Sequence, residues 1–105
     1  MDINEKAAEN VIQWLSAFSS LGSGGPAWVR ILRIAAFVLL VYVKLPQYQR
    51  AVVDKAAISA ICLTHGMPVT PSDADRVLLL LQEKGAIGQD NRVPLIVSHA
   101  IASMA

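Results

Sequence analysis

The sequence predicts a mainly α protein: an amphipathic helix, a longer apolar helix, and a small helical module with a short hairpin. Three observations support this class. Apolar residues recur at helical spacing along much of the chain. Glycines and prolines separate the periodic segments, where they end or start helices. Apolar residues make up 54% of the 105 residues and charged residues only 16%, although about 25% is usual for a soluble domain.

The charge and cysteine content restrict the possible functions. Net charge is +1 and the pI is about 7.9, which disfavours a general polyanion binder, because DNA-binding domains usually carry a basic stripe. The mean hydropathy of +0.48 indicates a membrane protein or a protein with large protein-facing surfaces. Cys62 is the single cysteine, so no internal disulfide is possible, and its apolar surroundings predict a small buried side chain.

Residues 1–21 form the first predicted segment, an amphipathic helix over 2–20. Its apolar face comprises Ile3, Ala7, Val11, Trp14, Leu15 and Phe18. The opposite face is acidic and polar, whereas helices that lie flat on a membrane prefer basic residues there. We therefore expect the apolar face, with Trp14 and Phe18, to contact protein.

Residues 22–26, GSGGP, are predicted to be a flexible linker, with Pro26 in the first turn of the next helix. A phosphate-binding loop would need a Lys-Ser/Thr pair after the glycines, and none follows.

Residues 27–46 predict an apolar helix that Pro46 ends. Its charge-free part, residues 34–43, is shorter than the roughly 20 residues that cross a bilayer. Long basic side chains at both ends of the segment can reach the membrane–water interface. All 20 residues can therefore be taken as the spanning length, which is about 30 Å of helix. Its apolar surface on all sides indicates complete burial. We interpret it as membrane-spanning; the alternative is the central core helix of a soluble bundle. The predicted membrane anchors are Trp28, Arg30, Arg33, Phe37, Tyr42 and Lys44.

Residues 47–105 form the last predicted segment. A helix over 47–65 ends at Gly66, and a helix over 72–84 follows Thr70 or Ser72 as its cap and ends at Gly85. The apolar stripe of the first helix comprises Val52, Val53, Ala56, Ala57, Ala60 and Ile61. Residues 86–97 predict a short hairpin that turns at Asp90-Asn91; the alternative is a last helix from Pro94 to Met104.

Two motifs in this segment, TPS at 70–72 and LQEKGAI at 81–87, make residues 51–97 resemble the winged helix-turn-helix superfamily. In that family the third helix presents polar and basic residues to DNA. Here its apolar face would comprise Ala74, Val77, Leu78 and Leu81, and its exposed side Asp73, Asp75, Arg76, Leu79, Leu80 and Glu83. One arginine against three acids disfavours phosphate contact. We expect Leu79 and Leu80 to lie in a protein interface, because four consecutive leucines exceed what one core face needs.

Residue types that carry chemistry are sparse. His65 and His99 with Cys62 give at most three scattered zinc-ligand candidates, and no cofactor fingerprint is present. We therefore expect no enzymatic activity, no metal site and no cofactor.

The function expected from these features is a structural or interaction role in a membrane-associated assembly, such as a secretion apparatus or a membrane-containing virion. The partners would be proteins or further copies of the chain, together with a lipid bilayer, and binding to nucleic acid is not expected. The location would be a cell membrane or a virion internal membrane, or the cytoplasm if the apolar helix is a soluble core. One alternative is a soluble winged-helix regulator that binds DNA. Another is a holin-like pore-forming lysis protein, which would need a second span from the 13 residues 93–105.

Overall fold

The computed structural model describes residues 5–17, 25–45 and 52–104. Within these ranges the chain forms five helices and no strand, which confirms the mainly helical class. The helices are α1 (Glu5–Ala17), α2 (Gly25–Lys44), α3 (Lys55–Thr64), α4 (Pro71–Glu83) and α5 (Leu95–Met104). Most of the predicted linker lies outside the described residues, whereas Pro26 falls in the first turn of α2, as predicted.

Helix α2 is the centre of the bundle. It packs against all four other helices, which form two pairs, α1 with α5 and α3 with α4. Between Ile31 and Tyr42, every side chain of α2 is buried except Leu32, Arg33 and Phe37. The core of the described residues is therefore built around the most apolar segment of the sequence.

No helix in the described ranges combines the length and the apolar character that crossing a membrane requires. The apolar surface of α2, which favoured a transmembrane interpretation of residues 27–46, is covered by protein. That prediction is therefore corrected to its alternative, a central core helix. The physical reason is that the other four helices supply apolar faces on both sides of α2.

Glycines end α3 and α4 as the sequence predicts. Gly66 and Gly85 have φ values of +73° and +71°, in the left-handed region that favours glycine. After Gly66, the Met67 N–H donates to the Cys62 carbonyl at 2.8 Å, and the same pattern of bonds follows Gly85. These bonds satisfy carbonyls that a helix end leaves without intrahelical partners.

Helix α3 begins later than predicted, at Lys55, because Asp54 is its N-cap. The Asp54 carboxylate accepts a hydrogen bond from the Ala57 N–H at 2.8 Å. Residues 52–54 precede the helix, and the Val53 N–H donates to the Asn91 carbonyl at 2.6 Å. Residues 47–51 of the predicted helix lie outside the described residues.

The buried side of α3 also differs from the predicted stripe. Ile58 and Cys62, one turn apart, are fully buried, whereas Ala56 and Ala60 are exposed. Since α2 and α4 both pack on α3, the side of α3 that carries Ile58 and Cys62 turns inward, and the side that carries Ala56, Ala60 and Leu63 turns outward. The predicted stripe was wrong at Val52, Ala56 and Ala60, which are exposed.

The predicted hairpin over 86–97 is reduced to its turn. The Gly88 N–H donates to the Arg92 carbonyl at 2.9 Å, and the Asn91 N–H donates to the Gly88 carbonyl at 3.0 Å. No strands flank this turn in the described residues, and α5 begins at Leu95. Proline has no N–H to donate to a strand ladder, and the Pro94 carbonyl instead accepts the Ser98 N–H at 2.9 Å. The hairpin prediction was wrong, and its helical alternative is confirmed.

Candidate interaction surfaces

The exposed side of α4 forms the first candidate surface, which we call the α4 outer face. Its members are Ser72, Asp75, Arg76, Leu79, Gln82 and Glu83. At 3.6 residues per turn they fall within about 120° of the helix circumference. Leu79, 53% exposed, lies near the middle of this arc. The surface is therefore an aliphatic residue surrounded by polar side chains.

The N-terminus of α4 is fixed by a capping box. The Thr70 hydroxyl accepts the Asp73 N–H at 3.1 Å, and the Asp73 carboxylate accepts the Thr70 N–H at 3.2 Å. Nη1 of Arg30, on α2, also donates to Oδ2 of Asp73 at 2.8 Å. These bonds join the start of α4 to the central helix and orient the outer face.

Asp73 is a buried carboxylate whose pKa is lowered. The hydrogen bond from Arg30 is the main cause, and the bonds from Thr70 and the Arg30 charge add to it, whereas burial opposes them. The ionised form of Asp73 is thus more stable in the folded chain than in the unfolded chain. Its contribution to stability is present above about pH 5 and is lost as the pH falls through the folded pKa.

We expect Asp73→Asn to lower the free energy of unfolding by about 1 kcal/mol at neutral pH. The variant loses the charge-assisted bond to Arg30, whose half-exposed side chain is partly stabilised by water in return. Urea denaturation measures the difference in the free energy of unfolding. This difference should narrow as the pH falls below the usual aspartate pKa, where the unfolded chain takes up a proton first, and should be lost once the native carboxyl, whose pKa is lower, is protonated as well.

Asp75→Asn is the matched control on the same helix. Asp75 pairs with Lys55 at 3.0 Å, but both side chains are more than half exposed. Such surface pairs contribute about 0–1 kcal/mol, so this variant should change stability less than Asp73→Asn. Equal losses in the two variants would contradict the assigned role of Asp73.

The charges on and beside the α4 outer face cancel. Asp75 and Glu83 are opposed by Arg76, and Lys55 from α3 pairs with Asp75. Asp73, which the sequence placed on the exposed side, is turned inward toward Arg30 instead. The outer face therefore carries charges of both signs without a basic stripe.

An open cleft of about 470 Å³ adjoins this face. It is lined by Gln82, Glu83, Ile87, Gly88 and Gln89. Gln82 also donates from Nε2 to Oδ1 of Asn91 at 3.0 Å, which ties α4 to the turn at residues 88–92. Because Gln82 and Glu83 belong to both features, the cleft extends the outer face toward this turn.

Helix α5 carries the second candidate surface, the α5 outer face. Its exposed members are Leu95, Ile96, His99, Ala102 and Ser103. They also fall within about 120° of the circumference, while Val97, Ser98 and Ile101 face the core. Sequence reasoning missed this surface, although one signal was available: residues 93–105 contain no charged side chain.

The predicted membrane anchors lie in different surroundings along α2. Tyr42 is buried. Phe37 is partly buried, and its ring lies edge-on to the ring of His65, with the two ring centroids 5.4 Å apart. Arg30 binds Asp73, whereas Arg33 and Lys44 are exposed. The side chain of Trp28 lies outside the described part of the chain. Three of the predicted anchors, Arg30, Phe37 and Tyr42, therefore contact other parts of the protein.

The predicted interface residues also differ in their exposure. Leu79 is exposed, but Leu80 is 1% exposed and belongs to the core, so its assignment to an interface is corrected. Trp14 is partly buried and packs against the core, and Phe18 lies outside the described residues. The buried side of α4 is rotated by about 50° from the predicted one, because α2 as well as α3 covers it.

Groups that could hold a metal do not converge in the part of the chain that the structure describes. No three histidine, cysteine or acidic side chains meet there. Cys62 is buried, as predicted, and its burial raises the pKa of the thiol. Cys62 therefore contributes to the packing of the core.

No protein-family model matches the chain, and no curated protein or solved structure is significantly similar to it. The resemblance to the winged helix-turn-helix superfamily therefore stays a prediction of the sequence.

Proposed function

We propose that this chain is a non-enzymatic interaction protein, a component of a larger assembly that binds a protein partner through the α4 outer face. The observation that carries this proposal is the exposure of Leu79 at the middle of that face. An aliphatic side chain left in water on a helix that is otherwise well packed gains free energy when a partner covers it. That the assembly is membrane-associated stays a prediction of the sequence.

The surroundings of Leu79 support a protein partner. Protein interfaces commonly have an apolar centre and a polar rim that fixes orientation. Here Asp75, Arg76, Gln82 and Glu83 lie one turn before and after Leu79 and supply both charges and an amide. The adjoining cleft offers a recess beside this rim. A partner with one aliphatic anchor and charges of both signs would complement the surface.

The charge of the same face disfavours duplex DNA. Affinity for DNA rests mainly on neutralising phosphates, and acidic side chains in the contact region oppose it. On α4 the exposed Asp75 and Glu83 flank the single exposed arginine, Arg76. A helix that inserted this face into a groove would therefore bring two carboxylates toward the phosphates for one guanidinium.

Site-specific photo-crosslinking in the native host cell tests the proposal. A photoreactive residue at position 79, or at the rim position 83, should give one discrete protein adduct that mass spectrometry identifies. The matched control is position 13, because Gln13 is exposed on α1, which does not pack against α3 or α4. Arg76→Glu should reduce the adduct at position 79 by changing the charge of the rim.

Two outcomes would overturn the proposal. One is the absence of any adduct at positions 79 and 83, or the same adducts at position 13. The other is crosslinking to nucleic acid, together with high affinity for one duplex sequence and a steep salt dependence. That second result would favour the alternative of a DNA-binding regulator.

A further inference from the structure

We propose that the open cleft at the end of α4 receives a basic side chain, lysine or arginine, from the protein partner that covers Leu79. This inference rests on the function proposed for the α4 outer face. It adds one feature that the partner must have, a cationic side chain close to its aliphatic anchor.

The cleft is lined by two parts of the chain. Gln82 and Glu83 are the last residues of α4, and Ile87, Gly88 and Gln89 belong to the segment that follows this helix. The volume of about 470 Å³ is within the range of roughly 300–1,000 Å³ that is common for ligand sites. Because the cleft is open, a long side chain can enter it without a change of fold.

The charge of the cleft favours a cation. Among the five described residues that line it, Glu83 is the one that carries a charge. The ion pairs of the described residues join Arg30 with Asp73 and Lys55 with Asp75, which leaves the Glu83 carboxylate without a cationic partner. The cleft also lies at the C-terminal end of α4, where the helix dipole is negative and favours positive charge.

Charged residues beside the cleft do not supply this cation. Lys84 is the C-cap of α4 and Arg92 follows the turn, but neither lines the cleft. Asp90 lies in the turn, and its Oδ1 accepts the Arg92 N–H at 3.1 Å. The same oxygen would lie 2.9 Å from a β-carbon placed on Gly88, so a second carboxylate adjoins the cleft. We therefore expect the cation opposite Glu83 to come from the partner.

The other lining groups suit the rest of a basic side chain. Gln82 donates from Nε2 to Asn91, and the oxygen of the same amide can accept a bond from an ammonium or guanidinium group. The exposed amide of Gln89 offers a second acceptor. Ile87 supplies apolar surface against which the aliphatic stem of a lysine or arginine packs.

Other ligands suit the cleft less well. An anion would meet the Glu83 carboxylate and no cation among the described lining residues. An apolar group would meet one apolar side chain, Ile87, which is itself 2% exposed. It would also cover carboxylate and amide groups without offering them hydrogen bonds, which is unfavourable.

The distance between the cleft and Leu79 indicates the spacing of the partner's residues. Glu83 follows Leu79 by four residues, so the two positions are about 6 Å apart along the axis of α4. A helix of the partner presents side chains four residues apart at the same spacing. We therefore expect an aliphatic and a basic residue about one helical turn apart in the partner segment.

Nuclear magnetic resonance of the isotope-labelled full chain tests the cleft with a small probe. The probe is N-acetyl-arginine methylamide, and N-acetyl-citrulline methylamide is its neutral control of nearly the same shape. The arginine probe should shift the backbone amide signals of residues 87–89 and the side-chain amide signals of Gln82 and Gln89. Saturation is expected at millimolar concentration, because exposed ion pairs are weak, and citrulline should bind at least about threefold more weakly.

Glu83→Gln should raise the dissociation constant of the arginine probe about threefold to fivefold, because it removes the carboxylate that has no cation. The matched control is Glu9→Gln, the same change at an exposed position of α1, which does not pack against α3 or α4. This control should leave the constant unchanged. The spectra also check that both variants keep the native fold.

The inference is overturned if the arginine probe causes no shifts, if its shifts lie outside the cleft, or if citrulline binds equally well. Equal effects of Glu83→Gln and Glu9→Gln would also overturn it. A discrete adduct at position 79 without binding of the arginine probe would mean that the partner does not use the cleft, while the proposed function stands. Probe binding without any adduct at positions 79 and 83 would overturn the proposed function, and with it the claim that a partner supplies the side chain.

Discussion

Replacing Leu80 with alanine should lower the free energy of unfolding by about 2–5 kcal/mol, the range found when a buried leucine is truncated in a packed core. Leu80 is on the side of α4 that faces the other helices and is 1% exposed. Its removal leaves a cavity that neighbouring side chains fill only in part. Urea denaturation followed by circular dichroism measures the change.

Leu79→Ala provides the matched control, with the same substitution one residue earlier. Because Leu79 is on the outer face, its truncation should change stability by no more than about 0.5 kcal/mol. The same variant should nevertheless weaken the partner contact. If both variants lost equal stability, Leu79 would belong to the core and the α4 outer face would lose its aliphatic centre.

Replacing Leu39 with aspartate should prevent cooperative folding in buffer without lipid or detergent. Leu39 is fully buried in α2, at the centre of the core, and an ionised carboxylate there would have no partner. Burying an unpaired charge costs several kcal/mol or more, which is comparable with a total stability of about 5–15 kcal/mol. Near-ultraviolet circular dichroism and thermal unfolding should both lose their cooperative transition.

Val29→Asp is the control on the same helix. Val29 is exposed in the second turn of α2, so a carboxylate at this position stays in contact with water. We expect this variant to fold with a stability within about 0.5 kcal/mol of the native chain. Loss of folding in Val29→Asp as well would mean that α2 tolerates no charge at either position, which contradicts the described burial pattern.

Local sequence signals predicted the ends of several elements correctly. Gly66 and Gly85 stop their helices because the left-handed backbone there favours glycine. Thr70 and Pro71 mark the start of α4 for reasons that are also local, a capping hydroxyl and a ring suited to the first turn. Each of these features depends only on residues within one helical turn.

Features that depend on distant parts of the chain were harder to predict. An apolar surface on all sides of a helix is equally compatible with lipid and with a shell of other helices, so residues 27–46 did not reveal what covers α2. The same limit explains why the burial of Asp73 and Leu80 was not predicted. Their burial follows from the packing of α2 on α4, which the pattern of α4 alone does not contain.

The end of the chain posed a different problem, because strand and helix signals overlap there. Val93, Leu95, Ile96 and Val97 are typical of a strand, whereas the following residues favour a helix. Pro94 decides between them, since it cannot donate to a ladder but its carbonyl can begin a helix. The charge-free face of α5 then follows directly from the sequence once its helical form is known.

In the described structure, the other four helices cover the apolar circumference of α2. Amide hydrogen exchange in buffer free of lipid and detergent tests it most directly. We expect the amides of residues 34–42 to be the slowest to exchange in the chain, opening only with global unfolding, because they lie at the centre of the core. Exchange of these amides as fast as those of α1, or a chain that stays in solution only with detergent, would contradict the claim.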